Sequence, residues 1–407
     1  MAWLDWVSLF LRWFHVIAGV AWIGASFYFI WLDNNLKQPP QWKQDKGIKG
    51  DLWAVHGGGF YEVSKYQYGP EAMPDKLHWF KWEAYTTWIS GFCLLVLVYY
   101  FGASAYLIDP QVNPLSPSTA IGLGLGLIFG GLVIYELACR SHLAHYPVLF
   151  GILLLSMLTF ASYFASHWFS GRGAYIHIGA LIGTIMAGNV FLQIMPSQRL
   201  MVDAVKNKLA IDPKWGAQAK LRSVHNNYFT LPLLFIMISN HYPVTYQHPQ
   251  NWLVLIAIGI VAAWIRHFFN LRHIGKVRPS ILISGAVGML LIAIWVSTPL
   301  IDDSLKPSAE NVGARVVEPQ VLAPDQQTVH NLIQLHCANC HSSTPTDDIF
   351  VVAPLGLKFD SWADISGKAA LIYQRVVVTR DMPFLNKTQM TEQERELIKN
   401  WFLEQDT

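Results

Sequence analysis

The stretch RWFHVIAGVAWIGASFYF, residues 12–29, is the centre of an apolar run that extends from about Trp3 to Trp31. A bilayer core about 30 Å thick is crossed by roughly 20 apolar residues of helix, so this run is long enough to span a membrane. A shorter run, 227–241, contains Pro232. Other runs of spanning length lie at 85–107, 119–138, 147–166, 174–195, 252–269 and 280–300. The sequence therefore predicts a membrane domain of about eight helices, one of them short or broken.

The composition of the 407-residue chain is that of a membrane protein. Apolar residues make up 53%, charged residues only 14%, and there are 17 tryptophans; soluble domains carry about 25% charged residues. A formal net charge of +2, with Lys and Arg spread along the chain, argues against a nucleic-acid partner and leaves the lipid bilayer as the expected one. The first run is expected to be retained, because it is too long for a signal peptide and lacks a basic segment before it.

The distribution of Lys and Arg among the predicted loops gives an orientation. With the short run counted as a span, the loops of one side carry 7 (33–83), 1 (Arg140), 6 (196–226) and 4 (266–279) basic residues. The loops of the other side carry only Arg172. Cytoplasmic loops are enriched in Lys and Arg. The pattern therefore predicts eight spans with both termini outside the cytoplasm.

A change in composition divides the chain near residue 300. The segment IDDSLKPSAENVGARVVEPQ, from residue 301, is polar and contains Pro and Gly, which is typical of a linker. We predict a membrane domain at 1–300, a linker at 301–324 and a small periplasmic domain at 325–407.

The small domain contains HCANCH at 336–341, and its Cys337-x-x-Cys340-His341 pattern is the signature of covalent haem c attachment. The two thiols would bind the haem vinyl groups and His341 would ligate the iron. A thioredoxin-like redox pair or half of a zinc site are the alternatives, but no βαβ context and no second C-x-x-C accompany the motif. One covalent haem c is therefore expected.

The sixth iron ligand is expected downstream, as a soft neutral atom. Met382, in TRDMPF, is the first candidate and Met390 the second. The segment TEQERELIKNWF then predicts a terminal helix with Thr391 as N-cap and Glu394 at the capping-box position. Its apolar face is predicted to contain Leu397, Ile398, Trp401 and Phe402.

Histidines are of interest inside the predicted spans, where polar side chains are costly and usually functional. His15 is at mid-depth in the first span, and His177 is one turn into the fifth. We expect them to ligate one or two b-type haems, with Ala18, Gly19 and Gly24 allowing a flat ring to approach the first helix. Other histidines cluster at the cytoplasmic ends of the spans, where an ordinary interfacial role is the alternative.

Two glycine-rich motifs predict structure rather than catalysis. HGGG at 56–59 resembles an esterase oxyanion loop, but no G-x-S-x-G nucleophile motif is present, so hydrolysis is not expected. GLGLG at 122–126 lies within an apolar span and predicts a helix-packing surface.

Four stretches together resemble the membrane-bound, cytochrome-c-linked urate oxidases, the urate hydroxylases of the PuuD type. They are HVIAGVAWIGASFYFIWLD (15–33), LWAVHGGGFYEVSKY (52–66), LHWFKWEAYTTWISGF (77–92) and RSVHNNYFTLPLLFIMISNHYP (222–243). The resemblance implies an all-α fold, a polytopic domain of about eight transmembrane helices followed by a small class I cytochrome c domain, in the bacterial inner membrane. It implies oxidation of urate to 5-hydroxyisourate, with electrons leaving through haem c to a soluble cytochrome c or a terminal oxidase and without hydrogen peroxide.

The urate site has to be predicted from the chemistry of the substrate. Urate is a flat purine anion, so its site needs aromatic walls, a cation, amides for the ring edge and a base for water. Trp82 and Tyr61 are candidate walls, and Arg222 is a further candidate cation. The catalytic candidates are His56, Glu62, Lys81, Glu83, Arg140, His225, Asn226 and Asn227.

A different class of function is also consistent with the motifs. The chain could be an electron-transfer subunit that takes electrons from quinol or a partner dehydrogenase and delivers them to haem c. A haem-bearing sensor or transporter is a third reading. Reduction of the haem by quinol but not by urate would identify the electron carrier.

Overall fold

Long helices make up most of the computed structural model, which describes residues 2–110, 112–298, 323–347 and 353–404. The predicted linker, 301–324, lies almost entirely outside these residues. The helices of the first part are α1 Ala2–Asn35, α2 Gln41–Gln44, α3 Trp82–Leu95, α4 Pro117–Arg140, α5 Pro147–Trp168, α6 Gly171–Gly188, α7 Met195–Lys206, α8 Pro213–Ser239, α9 Pro243–Tyr246, α10 Asn251–His273 and α11 Pro279–Ser297. Those of the second part are α12 Pro324–His336, α13 Trp362–Ser366, α14 Ala369–Ile372 and α15 Glu392–Glu404.

Six helices of the described residues are long and apolar enough to cross a membrane. They cover Trp6–Asn35, Pro117–Arg140, Pro147–Trp168, Gly171–Lys206, Asn251–His273 and Pro279–Ser297. The fourth is continuous because π-helical turns over Asn189–Ile194 join α6 to α7. All six coincide with predicted spans, as expected of a membrane protein.

The two remaining predicted spans are helical as well. α3 continues as π-helical turns over Val96–Tyr100 and Ala103–Leu107. α8 has 27 residues, about 40 Å at 1.5 Å per residue. The expectation of a short or broken helix around Pro232 is wrong, because α8 begins far upstream of its apolar run, where the Asp212 carboxylate accepts the Lys214 N–H. That α3 and α8 cross the membrane stays a prediction.

α6 is the central helix of the bundle and contacts α3, α4, α5 and α8. Most of its side chains are apolar and buried, and Tyr175, Ile178 and Ile185 are at most 2% exposed. Small residues bring the neighbouring backbones close. A Cβ on Gly179 would lie 2.7 Å from Ile236 of α8, and one on Gly124 would lie 2.6 Å from His177. The predicted packing role of GLGLG is therefore confirmed at Gly124.

A β-hairpin between α2 and α3 departs from the all-α prediction. Strands β1, Ile48–His56, and β2, Gly59–Tyr66, pair antiparallel with His56 opposite Gly59. Gly57 and Gly58 have φ of +58° and +81°, the conformation that a two-residue type I′ turn requires. HGGG is therefore the tip of a hairpin, which the helix-dominated resemblance gave no reason to expect.

The C-terminal domain, residues 323–404 where described, has its own apolar core. α12 packs against α15, and Ile333, Ile365 and Ile398 are fully buried between the helices. The predicted capping box is confirmed, since the Thr391 N–H donates to the Glu394 carboxylate at 2.6 Å and the Glu394 N–H donates to the Thr391 hydroxyl at 3.3 Å. Leu397, predicted on the apolar face, is 46% exposed, because it lies at the edge of that face.

Candidate functional site

A cavity of about 760 Å³ lies beside the Cys337-x-x-Cys340-His341 turn. The turn follows α12 directly, and the N–H groups of Cys340 and His341 donate to the Cys337 carbonyl. Both cysteines, His341 and Met382 line the cavity. Its volume is within the range of roughly 300–1,000 Å³ that cofactor sites occupy.

His341 has the arrangement of a metal-ligating histidine. Its Nδ1 lies 3.1 Å from the Leu357 carbonyl oxygen. Since a carbonyl only accepts, Nδ1 carries the hydrogen and Nε2 keeps its lone pair. Burial, and to a smaller extent the charge of Arg375, lowers the pKa of His341, so the ring is neutral at pH 7. The residues around the cavity therefore fit a haem whose iron is ligated by His341.

Cys337 has the properties of a structural thiol. It is 8% exposed, and burial raises its pKa to about 12. A redox pair of the thioredoxin type needs a thiolate nucleophile near neutral pH. The protonated, buried state of Cys337 argues against that alternative.

The two candidate methionines have different positions. Met382 lines the cavity. Met390 is 4% exposed and packs in the apolar core of the C-terminal domain. The structure therefore favours Met382 as the second iron ligand.

The opposite wall of the cavity comes from the helix bundle. Tyr106, Asp109, Arg172, Tyr246 and Gln247 line it. Tyr106 and Asp109 precede α4, Arg172 is in the first turn of α6, and Tyr246 and Gln247 lie at the end of α9. We call this the cavity end of the bundle, and the opposite end, where α4 and α10 finish, the far end.

His177 lies within the bundle near the cavity end and is fully buried. Its Nδ1 is 2.8 Å from the Gly173 carbonyl oxygen, so Nδ1 donates. Its Nε2 has no hydrogen-bond partner among the described residues and faces Gly124. A buried nitrogen without a hydrogen-bond partner calls for an explanation, and metal ligation is one.

His15 is held between α1 and α3. Its Nδ1 lies 3.1 Å from the Thr87 carbonyl oxygen and 3.0 Å from the Ser90 hydroxyl. The ring packs against Gly91, where a Cβ would be 2.8 Å from Cε1. Of the three small residues predicted to admit a macrocycle, Gly19 instead packs on Thr87. His15 remains a predicted ligand with a weaker structural basis than His177.

A buried polar cluster occupies the far half of the bundle, centred on Arg222. This side chain pairs with Glu136 at 2.8 Å and donates to Asn189 Oδ1 at 3.0 Å. Asn189 donates to the Tyr135 hydroxyl at 2.9 Å and to Asn226 Oδ1 at 2.8 Å. The charge of Arg222 is thus neutralised inside the bundle.

His225 is the next member of the Arg222 cluster. Its Nδ1 is 2.8 Å from the Tyr135 hydroxyl, and its ring stacks on Phe150 at 5.0 Å. Because Asn189 donates to the Tyr135 oxygen, the tyrosine proton is free to go to Nδ1. Neutral His225 then carries its hydrogen on Nε2, which favours a donor role over the predicted base role.

Arg266 of α10 is a buried cation without a counter-ion. It is 4% exposed, and no carboxylate of the described residues lies within ion-pair distance. Its Nε donates to Asn227 Oδ1, and its guanidinium lies 3.9 Å from the centroid of the Phe27 ring. Asn227 donates to Asn270 Oδ1 at 2.8 Å. Nη2 of Arg266 has no partner among the described residues, so the group combines a free cationic donor, amides and an aromatic wall.

The predicted catalytic residues fall into separate groups. His56 is exposed near the tip of the hairpin, and Glu62 of β2 is paired with Lys43. Lys43 also pairs with Asp51 at 2.6 Å, and the two carboxylates raise the pKa of Lys43. Tyr61 on the same strand is 53% exposed. This group has the features of a structural ion-pair network.

A second group lies at the start of α3. The Lys81 ammonium is 5.6 Å from the ring centroid of Trp82, which is 65% exposed. Oε2 of Glu83 is buried and has no hydrogen-bond partner among the described residues. Glu83 therefore has the free acceptor that a base requires.

The third group lies in and around the Arg222 cluster. His225 and Asn226 belong to the Arg222 cluster, and Arg140 reaches it through Glu136 at 2.9 Å. Arg140 itself is exposed. Asn227, the next residue of α8, contacts Arg266 instead.

The membrane part of the chain matches a known family. The model of the family described as urate oxidase N-terminal matches residues 1–297. The chain belongs to this family. The urate oxidase N-terminal family points to an oxidoreductase that acts on urate in purine catabolism. Searches of the curated proteins and of the solved structures find no match.

Three buried polar residues of this urate oxidase N-terminal family member were not among the candidates predicted from the sequence. Arg266, Glu136 and Asn189 each lie in or at the edge of a predicted apolar span. Polar and charged residues at such depth are functional candidates by default. Arg266 was predicted to begin the basic loop 266–279. In the structure α10 continues to His273, so Arg266 lies within the helix.

Proposed function

We propose that this chain oxidises urate to 5-hydroxyisourate and passes the electrons to a haem c attached to its own C-terminal domain. The observation that carries the proposal is the family match over residues 1–297 in a chain that also bears a C-x-x-C-H cavity. The helix bundle and the motif both line that cavity. Substrate oxidation and electron acceptance would thus take place in one molecule.

The reaction balances without oxygen as a reactant. Urate and water give 5-hydroxyisourate, two protons and two electrons, with the new C–O bond formed at C5. The electrons leave through the respiratory chain, to a soluble cytochrome c or a terminal oxidase. No hydrogen peroxide is then formed.

Arg266, Asn227 and Asn270 supply the interactions that a purine anion needs. The free Nη2 of Arg266 offers a charge-assisted donor, worth about 1.5–3 kcal/mol when buried. Phe27 offers an aromatic surface to the ring plane. The family match and the missing counter-ion of Arg266 support this placement.

Two further groups have roles in the proton chemistry. Glu83, with its buried free oxygen, would accept a proton from the attacking water. His225, with its hydrogen on Nε2, would donate to a urate carbonyl oxygen on which negative charge develops. Asn226 and Arg222 hold His225 and Tyr135 in place through the cluster described above.

The haem c would be held by Cys337 and Cys340 through thioethers and by His341 and Met382 as iron ligands. When bound, it supplies an acceptor for one electron at a time. One or two b-type haems, ligated by His177 and His15, are proposed within the bundle, because a core of roughly 30 Å is too thick for a single transfer. The orphaned Nε2 of His177 supports this part.

We also propose eight spans in a bacterial inner membrane, with the far end cytoplasmic and the cavity end periplasmic. The asymmetry of Lys and Arg supports this orientation. In this orientation the Arg222 and Arg266 groups would lie towards the cytoplasm, the side from which a purine arrives. The C-x-x-C-H motif would lie in the periplasm, where haem c is attached.

The test is anaerobic addition of urate to the oxidised, purified full-length protein. We expect the absorption band of reduced haem c to appear, with two haem equivalents reduced per hydroxyisourate formed. A band that stays oxidised with urate but responds to quinol would overturn the proposal and identify an electron-transfer subunit.

A further inference from the structure

Two direct contacts join the C-terminal domain to the cavity end of the bundle. The Lys368 ammonium pairs with the Asp109 carboxylate, and the side chains are 25% and 15% exposed. Gly356, with φ of +59°, lies so close to Gln247 that an added Cβ would be 1.7 Å from its Oε1. A side chain at this position would be strained at the positive φ and would displace the Gln247 side chain.

The cavity lies at this junction, so neither domain encloses it alone. Cys337, Cys340 and His341 lie on one side, and Tyr106 and Arg172 on the other. A haem attached to the cysteines would therefore be covered by the bundle on the side that the C-terminal domain leaves uncovered.

Arg172 differs from the other cations of the cavity lining. Lys368, Arg375 and Lys387 pair with Asp109, Asp381 and Asp347. Arg172 has no ion-pair partner among the described residues. A haem carries two carboxylates, so a cation left without a counter-ion in its cavity is a suitable partner for them.

Behind the cavity wall, Arg172 connects to the interior of the bundle. Its Nε lies 3.0 Å from the Tyr99 hydroxyl and 3.2 Å from Asn240 Oδ1. The Tyr99 ring is edge-on to His177, with centroids 6.4 Å apart. Packed side chains thus link the cavity to the buried histidine.

We propose that the cavity end of the bundle is the docking face for the haem side of the C-terminal domain, with the Lys368–Asp109 pair holding the domain and Arg172 facing the haem carboxylates. This inference rests on the proposed function, because it requires that haem c is attached. The docked arrangement is the one in which haem c receives electrons from the bundle.

Docking is tested by carbodiimide cross-linking of the full-length holoprotein at low concentration. This reagent joins a paired ammonium and carboxylate, and mass spectrometry identifies the linked peptides. We expect a Lys368–Asp109 link in the parent protein and none in Asp109→Asn. The exposed Lys399–Glu396 pair of α15, 2.6 Å apart, is the reagent control. Formation of the control link without the Lys368–Asp109 link would overturn the docking face.

Charge reversal tests whether docking controls electron delivery. Lys368→Glu should slow urate-driven reduction of haem c by about tenfold, because two carboxylates then face each other. The double variant Lys368→Glu/Asp109→Lys should restore the rate, while dithionite reduces all three proteins equally. An unchanged rate in Lys368→Glu would contradict the inference. If urate reduces no haem even in the parent, the proposed function fails, and the cross-link still decides the docking face.

The role of Arg172 has a readout that is independent of turnover. A positive charge near the haem favours the reduced state, so Arg172→Gln should lower the haem c reduction potential in an equilibrium titration. Arg278→Gln, at the exposed start of α11, is the matched control and should leave the potential unchanged. Equal potentials in the two variants would remove Arg172 from the cavity assignment.

Discussion

The Arg266 group and the Arg222 cluster differ in how the charge of the buried arginine is compensated. Both arginines are 4% exposed. Burying an unpaired ion costs several kcal/mol. Arg222 recovers much of this cost through Glu136 and Asn189. Among the residues that the structure describes, Arg266 has Asn227 and the face of Phe27 but no carboxylate. An anionic ligand would complete the set.

Arg266→Gln should therefore raise the KM for urate by roughly 10- to 100-fold, the equivalent of about 1.5–3 kcal/mol for a hydrogen bond to a charged group. The KM of Arg266→Lys should lie between those of the parent and Arg266→Gln, because lysine keeps the positive charge but lacks the planar guanidinium. The measurement is the urate dependence of anaerobic haem reduction. Arg272→Gln, exposed one and a half turns further along α10, should behave as the parent. An unaltered KM in Arg266→Gln would place urate elsewhere.

The assignment of Met382 can be tested without substrate. Met382→His should lower the haem c reduction potential, because Met/His ligation raises it. Met390→Leu conserves volume in the domain core and should leave both the potential and the visible spectrum unchanged. Redox titration of the full-length holoprotein separates the two methionines. A fall in potential with Met390→Leu alone would reverse the assignment.

Helices and turns show where local sequence is decisive. Gly57 and Gly58 determine the hairpin tip, because side chains at both positions would be strained at positive φ. The capping box of α15 follows from Thr391 and Glu394 alone. α8, by contrast, extends well before its apolar run, and no local signal except Asp212 and Pro213 marks that start.

Thr391→Ala should lower the free energy of unfolding of the C-terminal domain by about 1 kcal/mol at pH 7. Hydrogen bonds from the Thr391 backbone and hydroxyl lower the pKa of Glu394. A lowered carboxyl pKa gives stability above the ordinary value of about 4.3, and that stability is lost as pH falls through the lowered pKa.

The difference between Thr391→Ala and the parent should therefore shrink under acid conditions. Denaturant unfolding of the full-length protein, followed by haem absorbance at several pH values, measures it. Glu396→Gln, at an exposed position of α15, is the control and should change stability little. A difference that is constant with pH would show that Glu394 is not part of the cap.

For the whole molecule, the decisive feature is that two different polar sites lie at opposite ends of one bundle. The far end holds the buried arginines and amides. The cavity end holds the junction with the C-x-x-C-H domain. Under the proposed function, urate would bind at the far end and electrons would leave at the cavity end.

The predicted topology is tested by reporter fusions in cells. A periplasm-dependent enzyme such as alkaline phosphatase should be active when fused after residue 407 and inactive when fused after Lys206, where α7 ends. An odd number of spans before residue 300 would give an inactive C-terminal fusion. That result would leave the C-x-x-C-H motif on the side where haem c is not attached.

The sequence by itself determined the features that depend on local chemistry. Apolar runs long enough for a bilayer gave six helices that the structure bears out, and the Thr391–Glu394 pattern gave the terminal cap. The C-x-x-C-H motif predicted a cofactor site, and a cavity lies beside it. Each of these follows from residues adjacent in the chain or one turn apart.

Only the tertiary structure decided which distant residues meet. It separated Glu62 and His56, on the hairpin, from His225 and Asn226. It also left Arg266 beside Asn227, with no carboxylate of the described residues paired to it. It also brought Asp109 and Arg172 to the cavity, although they are 232 and 169 residues away from His341 in sequence. Helix packing sets these contacts, and it depends on the shapes of whole helix faces that no short pattern of residues records.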